Sequence, residues 1–318
     1  MRIIIVGCGK VGSALAEHLS SEGHDLTLID LSERRLEDLT TSLDVASVKG
    51  SGTSYHVLQS AKKRPYDLAA LGGRMHEEQT GRFLRAMVFR AWSEAQRSYT
   101  LGFLSHYAAD STLHPYVEAL CAPGGVFSGP YGHGFCEVAL DSELHEQDGL
   151  GRAVPKEHAA PALSPKALAE VCELLHACIL EVYGLEVSRE ALADCFHDFA
   201  WLHGMFCAGA GKRFLIRAVQ LFMGKPGWGM SHVTPAAAPQ GGFPEQWENP
   251  FTHAQQKSGP PALLAQAQEL GSQYQKAAAA YWEGVLDKVQ LATVLGDRSY
   301  LTGLLSRGPE GAAEGQAG

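Results

Sequence analysis

The residues of this 318-residue chain that could do chemistry are concentrated in one stretch, residues 105–115, with the sequence SHYAADSTLHP. His106, Asp110 and His114 recur at every fourth position, so in an α-helix each side chain is turned by about 40° from the one before. The three side chains would therefore share one helix face. Imidazole and carboxylate groups are common zinc ligands, so this face could hold a metal ion.

Four more candidate ligands flank this stretch. His133 and Glu137 lie four residues apart in a second predicted helix, Asp141 follows at the same spacing, and His76 precedes another helical segment. A single histidine on an apolar helix face is more often a core residue than a ligand. Several buried ionisable groups on facing helices, however, are costly unless a cation or partners compensate them. The candidate positions are therefore His76, His106, Asp110, His114, His133, Glu137 and Asp141.

The segment 102–116 carries a family resemblance. Together with His76 before it and the pair His133 and Glu137 after it, this segment resembles the zinc-dependent phospholipase C family, and the resemblance covers about residues 65–303. It implies a helical bundle that hydrolyses phospholipid head groups or a related phosphodiester.

The same resemblance divides the candidate ligands between two zinc ions. One ion would be held by His76, His106 and Asp110, and the other by His114, His133 and Glu137. Asp110 is also placed to bridge toward a third zinc, and Asp110 and His106 are the predicted catalytic residues. The zinc ions would activate water for attack on phosphorus.

Two departures from the family pattern bear on activity. The family begins with an early His and a free amine that hold one zinc, and it has an Asp, usually within a Gly-Pro-Asp stretch, before the counterpart of His76. Neither is recognisable in this sequence, and Asp67 could replace the missing carboxylate only if the chain bends back. Six ligands still allow three per metal at two sites. An inactive zinc site is the alternative.

The first sixty residues have a different pattern. A β-branched strand leads into Gly7, Gly9 and Gly12, a Gly-x-Gly-x-x-Gly arrangement that opens a predicted helix, and Asp30 ends a second strand. The glycines would let the backbone approach a pyrophosphate, and Asp30 would accept a hydrogen bond from a ribose hydroxyl. Residues 1–62 resemble the N-terminal domain of Trk-type potassium-uptake regulators, also called the regulator-of-potassium-conductance domain.

This second resemblance stops before the nucleotide site is complete. In that family a fourth strand follows, because the dinucleotide lies where the strand order reverses, but residues 62–76 contain no apolar strand. We therefore expect weak or no NAD(H) binding. The glycines would then serve backbone geometry alone, or a homodimer formed through this unit would complete the crevice.

The pattern of elements predicts an α+β multidomain protein: a mainly all-α, phospholipase C-like bundle with a small N-terminal three-strand Rossmann-like unit. The predicted domains are residues 1–62, 65–307 and a disordered tail, 308–318. The predicted helices of the bundle are 78–94, 98–121, 134–145, 165–183, 188–205, 212–223 and 261–295. Pro115 should discourage regular helix beyond it. Residues 224–261, rich in Gly and Pro, should be irregular, as a lid or a packed connection.

Composition narrows the classes of partner. The hydrophobic fraction of 45% suits domains with a real core, and a formal charge of −9 argues against broad electrostatic capture of nucleic acid. The seven cysteines are scattered without a Cys-x-x-Cys pair, which indicates free buried thiols in a reducing compartment. No signal segment or transmembrane run is recognisable, so a cytoplasmic protein is predicted.

Three functional interpretations follow. The first is a zinc-dependent phosphodiesterase. The second is a nucleotide-sensing regulatory module of potassium uptake, and the third is an inactive fusion of the two families. The first is favoured because most of the zinc ligand set is present, whereas half of the nucleotide site is absent.

Overall fold

The computed structural model describes residues 2–51, 68–129, 132–152, 162–206, 218 and 238–305. The chain divides into two compact units, Met1–Arg74 and Met75–Gly318. A three-strand parallel sheet lies in the N-terminal part and helices make up most of the rest, which confirms the predicted fold class. The functional boundaries proposed for the domains stay a prediction.

The N-terminal unit is built on a parallel sheet whose order is β1-β2-β3. Its elements are β1 (Arg2–Val6), α1 (Lys10–Ser21), β2 (Asp25–Asp30), α2 (Glu33–Ser42) and β3 (Ala46–Lys49). Ile5, Leu26 and Leu28 are buried in one apolar cluster with side chains of both helices. Because parallel strands end at the same sheet edge, Gly7 and Asp30 lie together there, and the Gly7 N–H donates to the Ile29 carbonyl at 2.8 Å.

Part of the N-terminal prediction lies outside the described residues. The helix predicted to end near residue 61 falls in 52–67, which the structure does not describe. Beyond that gap, the chain forms helix α3 (Leu68–Glu77), which crosses the boundary between the two units. Among the described residues of the first unit, the sheet has three strands.

The second unit is helical. Its helices are α4 (Thr80–Arg90), α5 (Glu94–Cys121), α6 (Gly132–Gln147), α7 (Pro165–Tyr183), α8 (Arg189–Phe206), α9 (Pro260–Trp282) and α10 (Lys288–Leu295), with a short antiparallel pair formed by β4 (Trp247–Glu248) and β5 (Gln255–Gln256). The predicted helix 212–223 and most of the irregular segment 224–261 lie outside the described residues.

Helix α5 is the central element of this unit, and it packs along α9. Leu104, Tyr107 and Ala108 of α5 are fully buried in one apolar cluster with Tyr274 of α9. At Gly271, an added Cβ would already be 3.5 Å from the Ala108 Cβ, so the two backbones approach closely. By helical periodicity His106 points away from this buried side, while Asp110 and His114 lie progressively closer to it because each step of the repeat turns by about 40°.

Local signals set several helix ends as predicted. The Ser164 hydroxyl accepts from the Ala167 N–H at 3.2 Å and starts α7, which ends at Gly184 with a φ of 67°. The Ser188 hydroxyl accepts from the Ala191 N–H at 3.2 Å and starts α8.

Two helix predictions are wrong in detail. The predicted helix 261–295 is two helices, because the chain turns at Gly284 (φ 75°) and restarts at Asp287, which forms a capping box with Gln290. Helix α5 does not lose its regularity at Pro115 but continues to Cys121.

A second backbone segment lies close to α5 beside Pro115. Proline has no N–H, so the carbonyl of Ser111, four residues earlier, loses its helical donor. Gly303 packs against this carbonyl: a Cβ there would lie 2.4 Å from the Ser111 oxygen. Gly303 also has a φ of 67°, which favours glycine. The C-terminal segment therefore meets α5 at the carbonyl that Pro115 leaves without a helical partner.

The described cysteines and helices bear on two expectations from composition. Cys8, Cys121, Cys136, Cys172, Cys178 and Cys195 are free thiols, and Cys207 lies outside the described residues. No helix in the described part of the chain is both long and apolar enough to cross a membrane.

Candidate metal centre

Two clusters of metal-ligand side chains lie along α5, and together they contain the six residues predicted from the sequence. The first cluster is His76, His106 and Asp110, and the second cluster is His114, His133 and Glu137. Within each cluster the ligand atoms lie within 4.8 Å of one another. Asp141, further along α6, is exposed and belongs to neither cluster.

The second cluster joins α5 to α6 through one carboxylate oxygen. Oε1 of Glu137 lies 3.0 Å from Nε2 of His133 and 3.2 Å from Nε2 of His114. His133 sits in the first turn of α6, whose start depends on Gly132, because a Cβ there would lie 1.8 Å from the Phe127 carbonyl oxygen. A glycine at this point lets the loop close tightly enough to place His133 opposite α5.

Both histidines of the second cluster are held through their other ring nitrogen. Nδ1 of His114 lies 3.2 Å from the Tyr300 carbonyl oxygen, and Nδ1 of His133 lies 2.8 Å from Oε1 of Glu118. A carbonyl can only accept, so Nδ1 of His114 carries the proton. Nε2 of the neutral imidazole is then the nitrogen that can bind a metal, which is the usual arrangement of zinc-binding histidines.

The first cluster has its ring nitrogens directed at one another. Nδ1 of His106 lies 3.3 Å from Oδ1 of Asp110, and Nε2 of His106 lies 3.4 Å from Nε2 of His76. The Tyr300 ring packs against both imidazoles, with centroid distances of 4.7 Å to His76 and 5.5 Å to His106. The Tyr300 N–H also donates to the His76 carbonyl at 2.9 Å, which fixes the end of α3 beside α5.

Asp110 reaches both clusters. Its Oδ2 lies 3.8 Å from Nε2 of His76 and 3.9 Å from Nε2 of His114, and its side chain is only 16% exposed. One largely buried carboxylate of the first cluster therefore also lies beside a histidine of the second cluster.

The electrostatics of the second cluster are those of an ion-paired group. Burial would raise the pKa of Glu137, but hydrogen bonds from His114 and His133 outweigh it and hold that pKa at about 2. The hydrogen bond to Glu137 in turn raises the pKa of His133 to about 9. A divalent cation that takes these ligands must therefore displace protons from the histidines.

Burial dominates the first cluster instead. It raises the pKa of Asp110 even though three histidines favour its ionised form. Burial also lowers the pKa of His106, which makes the neutral imidazole the form present near neutral pH. A neutral imidazole is the form that binds a metal.

Two contributors to the site were missed from the sequence. Glu118 follows His114 by four residues, so it continues the repeat of His106 and Asp110, and this spacing could have revealed it. Tyr300 contributes through its backbone carbonyl, which every residue possesses, so no sequence pattern points to it. Asp67, considered above as a replacement ligand, lies outside the described residues.

Asp30, the residue expected to bind a ribose hydroxyl, is hydrogen-bonded to the glycine loop of the N-terminal unit. Oδ2 of Asp30 accepts from the Cys8 N–H at 2.6 Å, and Oδ1 accepts from the Ser32 N–H at 2.7 Å. Gly7 has a φ of 90°, and a Cβ on Gly12 would lie 1.9 Å from the Gly7 oxygen. Both glycines are thus required by backbone geometry alone, while Gly9 has open space around it.

Comparison with known families gives two matches. The model of the TrkA-N domain matches residues 3–77, and the model of zinc-dependent phospholipase C matches residues 43–192, which include all six candidate ligands. No solved structure matches the chain significantly.

Three curated relatives of the chain are named as Trk system potassium uptake proteins or their homologues. The Trk system potassium uptake protein TrkA of Halomonas elongata is 48% identical over 61 residues, 19% of this chain and 13% of the relative. That of Azorhizobium caulinodans is 29% identical over 158 residues, 44% of this chain and 34% of the relative. A TrkA homologue of Methanothermobacter thermautotrophicus is 39% identical over 169 residues, 48% of this chain and 76% of the relative.

The chain spans only 13% and 34% of the length of the first two of these proteins, so the activity of the whole relatives cannot be assigned to it from the match. Both resemblances inferred from the sequence are confirmed as family matches. The helical part of the chain matches the zinc-dependent phospholipase C family, and the N-terminal part matches the TrkA-N domain. The chain therefore belongs to the TrkA family of Trk potassium uptake proteins.

Proposed function

We propose that the helical part of the chain is a zinc-dependent phosphodiesterase that acts on phospholipid head groups or a related phosphodiester. The observation that carries the proposal is the position of Asp110, whose Oδ2 lies 3.8 Å from Nε2 of His76 and 3.9 Å from Nε2 of His114. One carboxylate shared by two ligand sets is typical of sites that hold a pair of metal ions for phosphate ester hydrolysis.

The residues of the site fit zinc. Each cluster combines two imidazoles with one carboxylate, and in the second cluster both Nδ1 atoms have partners, so the Nε2 atoms can serve as ligands. Three protein ligands per ion leave positions for water and phosphate oxygens. Bound zinc would lower the pKa of water and draw charge from the phosphoryl oxygens.

The side chains also indicate where a substrate would approach. His106 and His76 are 46% and 39% exposed, whereas His114 is 15% exposed. His133 and Glu137 of the second cluster are 36% and 34% exposed, so both clusters are partly open to solvent and His106 is the most accessible ligand.

Purified protein tests the proposal by metal analysis and by hydrolysis of a chromogenic phosphodiester and of phospholipid vesicles. The wild type should contain about two zinc ions per chain. Asp110→Ala should lose more zinc and more hydrolysis than the matched variant Asp141→Ala, because the exposed Asp141 lies outside both clusters. Equal zinc and equal hydrolysis in wild type and Asp110→Ala would refute the assignment.

One outcome would separate binding from catalysis. The family's early His, free amine and Gly-Pro-Asp carboxylate have no recognisable counterparts in this sequence. A wild type that binds zinc but hydrolyses nothing would leave the ligand geometry standing without the enzyme, and these lost ligands would be the first explanation.

A second candidate function is nucleotide sensing by the N-terminal unit in regulation of potassium uptake. The match to the TrkA-N domain supports it. Against it, both carboxylate oxygens of Asp30 already accept backbone N–H groups of the unit itself. A homodimer formed through this unit, and a cytoplasmic location, are further parts of this proposal.

A further inference from the structure

Glu118 has a place in the metal centre that neither family resemblance assigned to it. It lies on α5 one helical turn after His114, so four residues in succession along one face carry a His or a carboxylate. Its Oε1 lies 2.8 Å from Nδ1 of His133, which belongs to the neighbouring helix α6. The contact joins the metal-bearing faces of the two helices.

The chemistry of this contact is directional. An ionised carboxylate only accepts hydrogen bonds, so Nδ1 of His133 must donate to Glu118. The ring is then oriented with Nε2 directed at Glu137, 3.0 Å away, inside the second cluster. A charged acceptor also makes the imidazole a stronger electron-pair donor than a neutral acceptor would.

The first cluster has no equivalent support for His106. Its two ring nitrogens point at Asp110 (3.3 Å) and His76 (3.4 Å), both members of the same cluster. Within the described residues, no group outside the cluster orients this ring through a hydrogen bond. His106 is the most exposed of the six ligands, but the other ligands of the two clusters are similarly shielded, so the sites differ chiefly in how His106 and His133 are oriented.

We propose that Glu118 is a positioning residue that fixes His133 for metal binding and makes the second cluster the tighter of the two zinc sites. The proposal rests on the function proposed above and adds a residue and an order of affinity to it. Groups that orient a metal-binding histidine typically change metal affinity by about 10- to 100-fold when they are removed.

Competition between the full-length protein and a chromogenic zinc chelator tests the proposal without any activity measurement. The wild type should show two zinc affinities. Glu118→Ala should weaken the tighter one by about 10- to 100-fold and leave the weaker one within about 3-fold. Glu118→Gln, which keeps an acceptor but no charge, should weaken the tighter zinc affinity less than Glu118→Ala does. The matched control Glu94→Ala removes an exposed carboxylate from the first turn of α5 and should match the wild type.

The outcomes distinguish the two proposals. If the wild type binds no zinc, the proposed function fails and the role of Glu118 fails with it. If the wild type binds two zinc ions and Glu118→Ala changes neither affinity, or only the weaker one, the role of Glu118 alone is overturned. Circular dichroism of the metal-free variants checks their folding, and Glu118→Gln provides the comparison if Glu118→Ala does not fold.

Discussion

Nε2 of His114 lies 3.2 Å from Oε1 of Glu137, a residue on a different helix. The same oxygen accepts a hydrogen bond from Nε2 of His133, so one carboxylate is paired with two imidazoles, one on α5 and one on α6. In the metal-free chain the charge of Glu137 stabilises the protons on the two imidazoles, and zinc would have to displace those protons to bind.

Removal of the Glu137 charge should change the titration of its partner. In metal-free wild type, NMR should show His133 with a pKa of about 9, because Glu137 stabilises the protonated ring. In Glu137→Gln this pKa should fall toward the ordinary value of about 6.5. A wild-type His133 that titrates near 6.5 would contradict the geometry of the second cluster.

The sign of the stability effect follows from the direction of that shift. A histidine whose pKa is raised by folding contributes stability that is complete below its unfolded pKa of about 6.5 and is lost as the pH rises through its folded pKa. The metal-free wild type should therefore lose thermal stability between about pH 6.5 and 9, and the loss should be smaller in Glu137→Gln.

Asp30→Asn should weaken the N-terminal unit. The Ser32 N–H, with further help from the Cys8 N–H and Arg35, lowers the pKa of Asp30, so its stabilisation is present above the unfolded value of about 3.9 and is lost as the pH falls below it. At pH 7 the substitution should cost about 1–3 kcal/mol. Hydrogen exchange at the amides of β1 and β2 is the suitable measurement, because all five tryptophans lie in the other unit. Asp38→Asn, an exposed change of the same charge on α2, should be nearly neutral.

Dinucleotide binding should be weak or absent. A ribose hydroxyl would have to compete with the Cys8 and Ser32 N–H groups for the oxygens of Asp30. Calorimetric titration with NADH and with ATP should show no binding at micromolar concentrations. A micromolar dissociation constant for either nucleotide would show that the crevice is completed in solution, and light scattering would then reveal whether a dimer completes it.

Gly303→Ala should destabilise the helical unit by at least about 1–2 kcal/mol, from the positive φ alone. The new Cβ would also lie 2.4 Å from the Ser111 oxygen, so the backbone must shift. Gly284→Ala is the matched control, since Gly284 has a φ of 75° and no atom near its missing Cβ. Thermal unfolding followed by tryptophan fluorescence compares the two, and equal losses would show that the contact with Ser111 contributes nothing.

The site was predictable where it depends on spacing within one helix. Periodicity places His106, Asp110 and His114 on one face, and the same rule would have included Glu118. The meeting of that face with His76 and His133 depends on packing between elements distant in sequence. Those partners came from the family resemblance and not from periodicity.

The two wrong helix predictions also arise from limits of local sequence rules. The restart of the chain at Asp287 had a local signal, since Asp287 and Gln290 have the spacing of a capping box, but the apolar pattern on both sides obscured it. Pro115 was expected to end regular helix because local rules ignore what packs nearby. Gly303 lies against the carbonyl that Pro115 deprives of its donor, and that contact is invisible from the local sequence.

The backbone of Tyr300 has a consequence for anyone who wishes to shorten this chain. Its N–H donates to the carbonyl of His76, and its carbonyl accepts a hydrogen bond from Nδ1 of His114. One peptide segment is thus hydrogen-bonded to a histidine of each cluster. The phospholipase C match ends at residue 192, and a fragment cut there would keep every candidate ligand. The fragment would lose both hydrogen bonds of the Tyr300 backbone, and we expect it to bind metal poorly even though all six candidate ligands are present.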